Sequence, residues 1–159
     1  MERIHKIMIH PLYVSNREKI DRLEKNRIFC RHGLSHSLDV ARILYIKTLE
    51  NNIPIKKDVI YAVALLHDIG RALEYEQGVS HHEAGVEISE RILRECDYTK
   101  EECNRMLCAI GAHKEKTELG SILCQLLYEA DKESRPCFEC EASAQCYWSE
   151  ERKNKTIIY

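Results

Sequence analysis

A chain of 159 residues is long enough for one domain with a sizeable core. Its net charge of −2 excludes the basic footprint of a long nucleic-acid binder. No stretch approaches the ~18 consecutive apolar residues of a membrane-spanning helix, so no membrane partner is expected.

Three prolines, six glycines and no run of short alternating strands predict an all-α chain of about six helices. The N-terminus carries scattered charge and lacks the apolar core and cleavage site of a signal peptide, so a cytoplasmic protein is expected. In that reduced compartment, eight cysteines point to metal or redox chemistry rather than to disulfides. The expected division is a helical bundle over 1–135 and a Cys-rich, irregular tail over 136–159 packed on the same domain.

Residues 1–11 form a short lead-in with Ile4, Ile7 and Ile9 as apolar points. Ser15 is the expected cap of a helix over 16–27, with Ile20 and Leu23 as a narrow stripe. Cys30, His32 and Gly33 fall in the following break. His5, His10 and His32 read as ordinary surface or loop residues, although His32 stands near enough to His36 to contribute. Gly33 or Ser35 opens a longer helix to about residue 51. On it, His36, Val40, Ile43 and Lys47 share one side, and Leu34, Leu38, Ala41 and Tyr45 another. Asn51-Asn52-Ile53-Pro54 is a stop.

The apolar run Val59 to Leu66 then predicts a helix over 56–67 buried on most sides. It ends in His67-Asp68-Ile69-Gly70. Two adjacent ionisable groups at the end of a buried helix are costly unless they pair with each other or hold a metal.

Residues 69–79 are polar and read as a loop. Ser80 with Glu83 predicts a capping box, and His81, Ala84, Gly85, Ile88 and Ile92 form one face of the helix that follows. His82, Val86, Ser89 and Leu93 form the adjacent face. Thr99 to Glu102 is a second capping box, opening a helix on which Cys103, Met106, Ile110 and His113 align. A further apolar helix over 119–130 runs into Asp131-Lys132.

His36, His67 with Asp68, His81 or His82, His113 and Asp131 thus fall at or near helix ends beside apolar faces. A lone histidine in such a place is ordinarily a satisfied core residue. Five placements in one small helical domain argue for a shared site, and mixed imidazole and carboxylate ligands suit iron, manganese or zinc.

This ordered set resembles the HD-domain superfamily of metal-dependent phosphohydrolases over residues 30–135. His-Ser-Leu-Asp-Val-Ala-Arg, Ala-Leu-Leu-His-Asp-Ile-Gly-Arg and Glu-Ala-Asp-Lys are similar to its core motifs. The resemblance implies two divalent metal ions, iron or manganese or the like. One would be held by His36, His67, Asp68 and Asp131, the second by His81, His113 and a shared Asp68. His81 is chosen over His82 because it stands four residues before Gly85, as in the family, and on the more apolar face. His82 then supports the ligands or faces solvent. Arg71 occupies a position where related proteins carry a basic phosphate-contacting residue, and Lys132 and Arg135 could act likewise. Asp68, Arg71 and Lys132 are the expected catalytic residues. The chain shows no Gly-x-Ser-x-Gly elbow, phosphate-loop pattern or dinucleotide fingerprint.

Cys137-x2-Cys140-x5-Cys146 forms a compact thiolate cluster, and Cys30 is the candidate fourth ligand for zinc or an iron–sulfur cluster. Free thiols or one disulfide are the alternatives. Cys96, Cys103, Cys108 and Cys124 read as small core residues.

The leading functional expectation is hydrolysis of a phosphate ester or anhydride of a small phosphorylated substrate, a nucleotide foremost. An HD-type di-iron oxygenase and a non-catalytic metal or redox sensor are the alternatives. The oligomeric state stays open.

Overall fold

In the computed structural model, which describes residues 1–113 and 121–159, the described residues form eight α-helices and two single-turn 3-10 helices, without strands. In chain order the α-helices are α1 (Glu2–Ile9), α2 (Pro11–Leu23), α3 (Leu34–Glu50), α4 (Lys57–Leu66), α5 (Arg71–Gln77), α6 (His81–Glu95), α7 (Lys100–Ala112) and α8 (Ile122–Glu133). The 3-10 turns are Cys137–Glu139 and Ser143–Gln145.

The helix α4 is the hub. Val59, Ile60, Ala62, Val63, Ala64, Leu65 and Leu66 are all buried on it, and it packs against α1, α3 and α7. Burying a Val, Leu or Ile side chain contributes about 1.5–3 kcal/mol, so this short helix is held chiefly by its neighbours. Ile7 of α1, Leu44 of α3, Met106 and Ile110 of α7, and Leu123 and Leu127 of α8 complete the same core. Polar links close the periphery. Arg3 joins Asp58 of α4 to Glu102 of α7, and the buried Lys47 of α3 meets Glu129 and Glu133 of α8.

Several local expectations are corrected. The lead-in is itself helical, because Ile4 and Ile7 face the core at helical spacing. The second helix starts at Pro11 and is capped by His10, whose Nδ1 accepts from Leu12 N–H at 3.2 Å. Ser15 lies inside that helix, where its hydroxyl donates to the Leu12 carbonyl. Residues 71–77, read as loop, form α5. Ser80 precedes α6 without a side-chain capping bond, whereas the Thr99 box forms on both sides. Cys108 is exposed rather than in the core, its Sγ 3.6 Å from that of Cys124. The start of the apolar helix expected over 119–130 lies partly outside the described residues, and α8 runs three residues further than expected.

The tail is bound back onto the end of α8. Asn154 Nδ2 donates to the carbonyls of Lys132, Glu133 and Arg135, groups that a helix end leaves without partners. No helix of the described residues is long and apolar enough to cross a membrane.

Candidate metal centre

Four imidazoles and two carboxylates are brought together at one end of α4. His36 comes from the first turn of α3, and His67 and Asp68 from the end of α4. His81 opens α6, His113 follows α7, and Asp131 lies in the last turn of α8. All six are buried.

The imidazoles share a hydrogen-bonding pattern. His67 Nδ1 donates to the Ala64 carbonyl at 2.7 Å, and His113 Nδ1 to the Ile110 carbonyl at 2.6 Å. His81 Nδ1 donates to the Glu74 carboxylate at 2.7 Å. The Ser134 hydroxyl gives its proton to the Asp131 carbonyl, so at 3.2 Å it accepts from His36 Nδ1. Each Nδ1 therefore carries the proton, and each Nε2 turns a lone pair toward the carboxylates.

Asp68 lies between two sets of these lone pairs. Its Oδ2 is 3.0 Å from His67 Nε2 and 3.6 Å from His36 Nε2. Its Oδ1 is 3.7 Å from His113 Nε2 and 3.9 Å from His81 Nε2. Asp131 Oδ1 adds to the first set, 3.2 Å from His36 Nε2 and 3.9 Å from His67 Nε2. One ligand atom each from His36, His67, Asp68 and Asp131 fits within a 4.8 Å span, and so does one each from His81, His82 and His113.

Lone pairs facing carboxylate oxygens at such distances repel unless a cation lies among them; Arg135 Nη2 supplies one beside His36 Nε2 and Asp131, at 3.0 and 2.9 Å. His67 Nε2, fully buried and without a hydrogen-bond partner, shows the need most directly. The donor set fits a divalent metal, because neutral imidazole and carboxylate are what such ions take. His82 was expected outside the ligand set. It is half-buried, with its ring centroid 3.8 Å from that of His81 and 4.5 Å from that of His113.

The charges around the centre are matched closely. Burial would raise the Asp68 carboxyl, but the Arg71 guanidinium beside it helps hold it well below the usual carboxylate range. Burial opposes ionisation of Asp131 too, and the Arg135 and Lys132 charges act against it, holding the carboxyl well below its usual range. Burial and the Arg71 charge push the His81 imidazole down, which keeps it neutral. Arg71 Nε donates to Asp68 Oδ1 at 2.9 Å and its Nη1 to Glu74 at 3.0 Å. Lys132 and Arg135 reach Asp131 at 2.5 and 2.9 Å.

Two supporting groups carry no reading in the sequence: Glu74, in the segment expected to be loop, and Ser134, just past the helix expected over 119–130. His32, expected as a surface or loop residue near enough to His36 to contribute, is buried against Glu24 with Nδ1 2.5 Å from its carboxylate, and its ring lies 5.9 Å from that of His36. His10, expected as a surface or loop residue, is also buried and is 3.0 Å from Glu95. Cys30, Cys137, Cys140 and Cys146 line one cavity but do not meet as closely as the imidazoles do.

A protein of Clostridium beijerinckii described as uncharacterized is 39% identical over 159 residues, covering 100% of both chains. Ribonuclease Y of Latilactobacillus sakei is 31% identical over 132 residues, 82% of this chain and 23% of that protein. Ribonuclease Y of Acetivibrio thermocellus is 28% identical over 123 residues, 77% and 22% of the respective chains. The chain therefore spans under a quarter of these ribonuclease Y relatives. The crystal structure of a predicted HD superfamily hydrolase from an uncultured Thermotogales bacterium has a TM-score of 0.65 and 22% identity. That match covers 91% of this chain and 80% of the other, and shows a shared fold. The HD domain family matches residues 33–135, the span from the start of α3 to just beyond Asp131 that carries all six converging side chains, and the chain belongs to that family.

Proposed function

We propose that the protein is a metal-dependent phosphohydrolase that cleaves an ester or anhydride of a small phosphorylated substrate, a nucleotide foremost. The observation that carries this reading is the sharing of Asp68 between two sets of inward-facing Nε2 atoms. His36, His67, Asp68 and Asp131 would hold one divalent ion, and His81, His113 and Asp68 a second, iron and manganese suiting the donors best. Bound there, the ions supply hydroxide near neutral pH and neutralise phosphate oxygens.

The side chains do the rest. Glu74, Ser134 and the Ala64 and Ile110 carbonyls fix each imidazole in the tautomer that presents Nε2 inward. Arg71 spends two of its N–H groups on Asp68 and Glu74 and keeps others for phosphate oxygens. Arg71 and Lys132 keep 20% and 28% of their side chains accessible, so both can touch a ligand. Asp68, Asp131 and Glu74 are already matched in charge by Arg71, Lys132 and Arg135. Two divalent ions would leave the centre positive, which calls for an anionic substrate.

The test is phosphate release with iron, manganese or magnesium, using nucleotides, phosphate monoesters, a dinucleoside polyphosphate and a short oligoribonucleotide. The relatives named ribonuclease Y put the last on the panel. Metal-dependent release from the small substrates supports the reading. Cleavage of the oligoribonucleotide alone moves the substrate to RNA. Oxygen uptake without phosphate release replaces the hydrolase with an oxygenase.

A further inference from the structure

Beside Asp131 lies a second constellation that the hydrolytic chemistry does not use. Cys30, Cys137, Cys140 and Cys146 line a single cavity of about 100 Å³, which Arg71, Asp131 and Lys132 of the bundle centre also line. Cys137 opens the first 3-10 turn and Cys140 closes it, while Cys146 follows the second. Cys30 comes from the break before α3, more than a hundred residues earlier, within electrostatic reach of all three. None of the four is in a disulfide.

The surroundings are cationic. Arg27, Arg135 and Lys153 line the same cavity. Arg27 is fixed by its bond to the Cys30 carbonyl at 2.9 Å, and the buried Lys153 by the Ser143 carbonyl at 2.7 Å. Arg135 is met by Asp131 at 2.9 Å and Lys153 by Glu150 at 2.5 Å, whereas Arg27 bonds to a neutral carbonyl, so the wall stays on balance cationic and favours thiolate over thiol.

The size of the cavity selects the occupant. Tetrahedral zinc, with Zn–S of about 2.3 Å, draws its sulfurs to within roughly 4 Å of one another. No three of these thiols share a 4.8 Å span. A single water-sized body needs only about 10–15 Å³, so this cavity has room for several heavy atoms. We propose that Cys30, Cys137, Cys140 and Cys146 bind a four-iron, four-sulfide cluster that ties the C-terminal tail to the bundle next to the dinuclear centre. Each thiol loses its proton to solvent and binds one corner iron. The cluster with its thiolates is then a dianion, which answers Arg27 and lies beside Arg135 and Lys153, whose own carboxylate partners are Asp131 and Glu150.

Arg135 links the two centres. Its Nη2 donates to Asp131 at 2.9 Å and lies 3.0 Å from His36 Nε2, while its side chain also lines the cysteine cavity. The cluster therefore forms part of the wall of the bundle centre.

The experiment is purification of the whole chain without oxygen, followed by iron and acid-labile sulfide analysis, visible absorption and Mössbauer spectroscopy. Sulfide separates this site from the bundle metals, so the result does not depend on any hydrolytic activity. The expected result is about four sulfides per chain and a broad absorption band, both retained in His81→Ala. Cys137→Ser is expected to lose most of the sulfide and to keep its helical circular dichroism. Should Cys137→Ser fail to fold, the sulfide content of the unmodified protein still decides. Zinc at the cysteines, or iron without sulfide in protein prepared and reconstituted anaerobically, overturns the proposal.

Discussion

Asp68 carries the greatest demand of any side chain, because each of its oxygens faces a different group of imidazoles. Asp68→Ala is expected to lower phosphate release by more than about a hundredfold and to reduce the bound metal, with far-UV circular dichroism nearly unchanged. Retained turnover would show that the shared carboxylate is dispensable. Glu74→Gln and Ser134→Ala remove groups that orient ligands without touching the centre, so each is expected to weaken manganese binding by about 10–100-fold. Calorimetric titration checks this, and unchanged affinity would make both contacts incidental. The side chains that converge were legible in the sequence, since residue type and helical spacing single them out, while the choice of His81 over His82 rested on the family resemblance. Their supports were not. Ser134 acts on His36 from 98 positions away, and nothing local marks a serine as the partner of a distant imidazole.

At the scale of elements, the contact between the α4–α5 turn and α6 sets the centre. A Cβ on Gly70 would lie 2.1 Å from the His81 carbonyl and 2.5 Å from the Gly85 nitrogen. Gly70→Ala must therefore push α6 away and carry His81 from Asp68. A loss of about 3 kcal/mol or more is expected in urea denaturation, with reduced metal content. A stable, metal-replete variant would contradict the close approach. A second link joins the segment after α2 to α5. The buried Glu24 carboxylate accepts from the His32 backbone N–H at 2.7 Å, from its ring and from the Tyr75 hydroxyl. Burial works against its charge, yet these bonds hold it at about 2, against 4.5 when free. The stability it contributes is complete above the free value and is lost as pH falls through the folded one. Urea denaturation between pH about 5 and about 3 is expected to show a steeper acid loss in the native chain than in Glu24→Gln. Equal slopes would show that the link contributes no pH dependence. Of the elements, α4 was legible because an unbroken apolar run admits few other readings. The short α5 was not, because only Ala72 of it is buried and tertiary bonds from Tyr75 to Glu24 and from Lys19 to Glu76 hold it in place. Two identical-looking capping boxes diverged for a similar reason. Arg3 and Lys56 grip Glu102 beside Thr99, while Glu83 is exposed beside Ser80.

Across the described residues, five of the eight helices bring side chains spread from His36 to Asp131 together at one end of a buried helix. The core that makes this possible is ordinary aliphatic packing, and the tail closes over the α8 end through Asn154. The charge balance of the centre gives the whole chain its expected preference for an anionic substrate. The most direct test of a shared metal centre is anomalous diffraction from crystals grown with manganese. The account predicts one anomalous peak enclosed by His36, His67, Asp68 and Asp131, and a second beside His81 and His113, with Asp68 reaching both. Crystals saturated with manganese that show no peak at Asp68 would contradict it.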